Sequence, residues 1–128
     1  MTISNQEELD GLRKIGRIVA DCLQLMGKTL EPGMTTKDLD SIGEQYLAKH
    51  GASSASLLTY NFPGATCISV NQCVAHGIPS TYILKPSDMV NIDVSAELNG
   101  YFADTGASFM IPPERKISRT VLRLNIRN

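Results

Sequence analysis

Two aspartates, Asp93 and Asp104, flank an Asn99-Gly100 pair within runs of alternating character at residues 89–98 and 101–110. Asn-Gly between alternating runs signals a tight hairpin, because both residues tolerate positive φ. A two-residue turn there sets Leu98 against Tyr101, Ser95 against Asp104 and Asp93 against Gly106. Asp93 and Asp104 then share one face as diagonal neighbours, about 7–8 Å apart at the backbone. Carboxylates that repel when ionised can be held together by a divalent cation; their oxygens suit such ions, and a bridging aspartate serves a metal pair about 3.5–4 Å apart. The bland alternative is that the face carrying Asn91, Asp93, Ser95, Glu97, Asp104 and Ser108 is the solvated side of an antiparallel hairpin. A register slip of one residue would separate the two aspartates and end the metal argument.

His76, in His76-Gly77-Ile78-Pro79, falls at an expected strand end. It is either a hydrogen-bonded structural residue or a group that transfers a proton beside a reacting carbonyl. Cys67 has no basic neighbour in sequence to generate a thiolate, so it reads as a small apolar residue rather than a nucleophile.

These residues need elements to position them. Leu9, Leu12, Ile15, Val19, Cys22, Leu23 and Met26 make one helical face over residues 8–30. Glu31-Pro32-Gly33 interrupts that helix, and Thr35 with Asp38 forms a capping pair for a second one. Leu39, Ile42, Tyr46 and Leu47 give the second helix its stripe, and Gly51 ends it. Residues 66–70 read as a strand, Asn71-Gln72 as a turn and 73–76 as a return strand, ahead of the long hairpin. Ile92, Val94, Ala96 and Leu98, with Tyr101, Ala103, Thr105, Ala107 and Phe109, make the hairpin's apolar face, suited to packing under helices. The fold class is α+β: two amino-terminal helices on an antiparallel sheet. Residues 1–110 form the domain, and 111–128 a basic tail that could begin a helix.

At 128 residues the chain is of single-domain size, and 12 basic against 13 acidic residues leave no net field favouring nucleic acid or an anionic membrane. The amino terminus lacks a basic and apolar leader, and no apolar run is long enough to span a bilayer, which points to a soluble, cytoplasmic protein. Three cysteines without metal-type spacing suit a reducing compartment.

Five segments then resemble, in order and spacing, the type I methionine aminopeptidase family. They are Asn61-Phe62-Pro63-Gly64, Cys67-Ile68-Ser69-Val70-Asn71, Val74-Ala75-His76-Gly77-Ile78-Pro79, Val90-Asn91-Ile92-Asp93-Val94 and Asn99-Gly100-Tyr101-Phe102-Ala103-Asp104-Thr105. The resemblance implies a pita-bread fold, of which this chain would be the amino-terminal half, with a metal pair on the face of the sheet away from the helices. It implies that Asp93 and Asp104 are metal ligands, Asp104 bridging two divalent ions (cobalt, manganese, iron or zinc). His76 matches a catalytic histidine touching the substrate near the scissile bond, and Phe62 and Cys67 match positions lining the pocket for a methionine side chain. The implied reaction is hydrolysis that removes the N-terminal methionine of nascent polypeptides, with the ribosome as a further partner and water activated by the cations.

The family's remaining ligands, a histidine and two glutamates, come from the second half of its fold, and neither His50 nor Glu114 is placed to replace them. The expectation is a truncated chain with little aminopeptidase activity of its own and a sheet edge that favours self-association. A non-catalytic binding module of the same fold is the alternative, and a creatinase or prolidase relative is disfavoured by the 74–79 segment and its spacing to Asp93.

Overall fold

A computed structural model describes residues 5–55, 64–71 and 77–112 of the chain. Helix α1 spans Gln6–Thr29, and Asn5 caps it by accepting from the Glu8 N–H at 2.8 Å. Its first turn carries Glu7 and Glu8 and its last turn Lys28, each sign matched to the helix dipole. One face buries Ile15, Ile18, Val19, Cys22, Leu23 and Met26. Helix α2 spans Thr36–Lys49 and has the expected capping box: Thr35 Oγ1 accepts from the Asp38 N–H, and an Asp38 oxygen accepts from the Thr35 N–H, both at 3.0 Å. The Thr36 and Lys37 N–H groups, which a helix start leaves without intrahelical partners, donate to the carbonyls of Tyr82 and Ser80. Gly51, at φ +78°, follows the end of α2.

Among the described residues four strands form one antiparallel sheet: β1 (Ser53–Ser54), β2 (Cys67–Val70), β3 (Met89–Leu98) and β4 (Tyr101–Met110). β1 and β2 both pair with β3, at its carboxyl and amino ends respectively, while β4 pairs along its other side. The hairpin turns on Asn99 at φ +55° and Gly100 at φ +88°, and its register is the expected one, with Asp93 opposite Gly106 and Ser95 opposite Asp104. The return strand expected at 73–76 lies outside the described residues.

The helices cover one face of the sheet, where Val90, Ile92, Val94 and Ala96 are fully buried. Two glycines let α1 approach β4 closely. A Cβ on Gly11 would overlap the Tyr101 ring, and one on Gly27 would overlap the Phe109 ring. Sixteen residues of helix rise about 24 Å, and eight residues of strand about 27 Å. Two ring-into-glycine contacts can therefore register α1 along nearly the whole of β4. The core runs one residue past β4: Ile111 is fully buried, with its N–H donating to the Asp88 carbonyl and its own carbonyl accepting from the Ser87 N–H.

Candidate metal centre

Asp93 lies on β3 and Asp104 on β4, and both project to the exposed face of the sheet because their strand neighbours Ile92, Val94, Ala103 and Thr105 face the helices. The strict alternation of burial along β3, broken only near its end, fixes which residues can face out. With Asp93 opposite Gly106, Asp104 is its diagonal neighbour. Neither carboxylate accepts a hydrogen bond from any described residue. Exposed hard oxygen donors with no partner among the described residues fit a divalent cation. Among the described residues no group of three or more His, Cys, Asp or Glu side chains is arranged to hold a metal.

Cys67 is the direct cross-strand partner of Asp93, on its β2 side. Its thiol is pushed up, first by burial and then by the charges of Asp93 and Asp40, so it stays protonated at neutral pH and presents a soft, apolar wall beside the carboxylates. Gly77 closes over this wall, its carbonyl accepting from the Ile68 N–H at 2.8 Å. A Cβ on Gly77 would lie 3.1 Å from Cys67 Cβ, and its φ of +65° also favours glycine. One row across the sheet therefore reads Gly77, Cys67, Asp93, Gly106. His76 and Phe62, the other two expected site residues, lie outside the described residues.

Sequence reasoning placed Asp93 opposite Gly106 but gave the glycine no role, and it gave none to Asp40. Asp40 is buried on α2, where one oxygen accepts from the Thr66 N–H and hydroxyl at 2.7 and 2.6 Å and the other from the Ala65 N–H at 3.1 Å. It anchors the entry to β2 and so sets the position of Cys67. A glycine inside a strand was the available signal for the first, since it often marks a close approach. No local signal announces the second.

The sequence profile described as metallopeptidase family M24 matches residues 10–127. "Methionine aminopeptidase 2" of Bacillus subtilis (strain 168) is 59% identical over 112 residues, covering 87% of this chain and 45% of that protein. Among solved structures, methionine aminopeptidase from Rickettsia prowazekii superposes with a TM-score of 0.80 at 30% identity, over 95% of this chain and 49% of the other. Methionine aminopeptidase (TM1478) from Thermotoga maritima gives 0.81 at 27% identity, over 96% and 50%. The chain thus spans about half the length of the relatives it matches, and its helices and sheet are half of their pita-bread fold. With the profile matched along nearly its whole length, this chain belongs to metallopeptidase family M24.

Proposed function

We propose that this chain supplies the first half of a methionyl aminopeptidase site, in which Asp93 and Asp104 hold divalent metal and the substrate is the N-terminal methionine of a nascent polypeptide. The observation that carries this reading is the pair of carboxylates on one exposed face, without a hydrogen-bond donor among the described residues, in a chain 59% identical to a methionine aminopeptidase over most of its length. A divalent ion held there, whether cobalt, manganese, iron or zinc, supplies Lewis acidity toward a peptide carbonyl and toward water. The protein's own residues do the rest. Asp93 and Asp104 fix where the positive charge sits, and Cys67 gives an apolar, polarizable flank suited to a thioether side chain. We assign proton transfer beside the scissile bond to His76 and a second pocket wall to Phe62, on their match to the family's segments. The remaining ligands are assigned to the second half of the fold, and the cytoplasm and the ribosome's nascent chains are its proposed setting. Among the described residues the outer edge of β4 pairs with no strand, which supports self-association through it; sedimentation as a stable monomer would refute that.

The test is release of methionine from a Met-Ala-Ser peptide with added Mn²⁺. The chain is assayed alone and after combination with the portion of the Bacillus subtilis relative that lies beyond the matched region. Little release is expected from the chain alone, with release appearing on combination and disappearing with Asp104→Asn. Release that survives Asp104→Asn, or preferential cleavage of an Xaa-Pro peptide, would overturn the reading.

A further inference from the structure

Gly106 lies in the middle of β4, directly across from Asp93. A Cβ built on it would overlap Asp93 Oδ1 and lie 3.2 Å from Asp93 Cγ. The carboxylate of Asp93 is therefore laid over the backbone of the neighbouring strand instead of standing upright on its own. Its other flank is filled by its partner on β2, Cys67. Of the two cross-strand neighbours of Asp93, Cys67 and Gly106, only Gly106 leaves a gap, and it is on the strand that carries Asp104. A lean in this direction takes the Asp93 carboxylate off β3 and onto the line of β4, where Asp104 stands two residues along.

The backbone itself does not ask for glycine here. Gly106 is paired within the ladder and is absent from the positive-φ glycines, which are Gly33, Gly51, Gly77 and Gly100. Glycine inside a strand weakens it, because it loses more chain entropy on folding and contributes no side chain to packing. The residue thus disfavours the strand locally, and what it permits is the position of one carboxylate.

We propose that Gly106 is a positioning residue for the metal centre: by presenting no side chain, it lets the Asp93 carboxylate lie over β4 in line with Asp104, so that both address the same cation. The inference rests on the metal reading of Asp93 and Asp104 given above. It makes an unusual combination of effects for Gly106→Ala. The methyl group displaces the far end of the Asp93 side chain and sits 3.2 Å from the Ile92 carbonyl oxygen, which must give by a few tenths of an ångström, while alanine recovers chain entropy that glycine loses. The strand therefore stays folded with a small change in stability, while the cation site loses a correctly placed ligand.

The experiment titrates Mn²⁺ into the unsubstituted chain, Gly106→Ala and Asp104→Asn, following free Mn²⁺ by electron paramagnetic resonance, and records thermal melting of each without metal. For Gly106→Ala the expected result is a loss of Mn²⁺ affinity of about 10–100-fold, the range typical of residues that orient metal ligands. Its melting temperature should change by only a few degrees. Equal affinity in Gly106→Ala and the unsubstituted chain overturns the proposal. So does a loss of folding in Gly106→Ala, which would make the glycine a packing requirement. If the unsubstituted chain binds Mn²⁺ no better than Asp104→Asn, the metal reading itself fails and the positioning role falls with it.

Discussion

Asp40 and Asp88 are buried and each accepts three hydrogen bonds, while Asp93 and Asp104 are exposed and accept none from the described residues. Asp40 gathers the Ala65 and Thr66 N–H groups and the Thr66 hydroxyl. Asp88 gathers the Lys85 N–H at 2.9 Å and the Asn71 amide and Tyr82 hydroxyl at 3.1 Å. A carboxylate that holds a fold together has its acceptor sites filled from within, since a buried charge with open acceptors would cost several kcal/mol. A carboxylate kept for an outside cation needs the reverse, with oxygens in reach of solvent and no internal donors competing for them. On the proposed metal reading, the same residue type does two jobs in one small domain, and the donors around it separate them.

The widest gap between the two pairs should appear in stability. Asp40→Asn keeps an oxygen for Thr66 but turns an NH₂ toward the buried Ala65 N–H, leaving that donor unsatisfied. The expected cost is about 1–3 kcal/mol. Asp104→Asn, on the open face, should change stability by no more than about 0.5 kcal/mol, as exposed substitutions generally do. Urea denaturation of the two variants beside the unsubstituted chain measures both. Equal losses would break the division between fold-holding and site carboxylates.

How much of this was legible depended on whether the signal was local. The Asn99-Gly100 turn fixes its own register through the conformations its two residues tolerate, and the alternation from Val90 to Ala96 says which face is buried. The shared face of Asp93 and Asp104 followed from those two facts. Thr35 and Asp38 announced the start of α2 for the same reason, since a capping box is written within four residues. The contacts of Asp40 with residues 25 and 26 positions later, and of Gly27 with Phe109, have no such signature. They exist because helices of particular length settle on strands of particular length. The two-residue strand β1 is likewise too short to show a period, and only its pairing with Ala96 and Glu97 defines it. Of the site, the sequence pattern located the carboxylates but said nothing of the direction in which Asp93 leans, because that depends on what Gly106 lacks.

The smaller expected effect sharpens the comparison through pH. Burial alone would raise the pKa of Asp88. The Lys85 N–H, the Asn71 amide, the Tyr82 hydroxyl and the charge of Lys85 outweigh it and hold the carboxyl below its ordinary value of 3.8. A group whose pKa is lower folded than unfolded stabilises the fold fully above its unfolded value, and that contribution is lost as pH falls through the folded one. Protonation removes the charge that the three donors and Lys85 favour, so the neutral acid resembles an amide in what it can hold. Asp88→Asn should therefore melt below the unsubstituted chain at pH 7, and the difference should shrink as pH falls below about 4, the unfolded range. Other titrating groups are common to both proteins and cancel in the difference. A melting-temperature difference for Asp88→Asn that is constant from pH 7 to pH 2 would show that the charge of Asp88 contributes nothing, and that its place in the fold rests on shape alone.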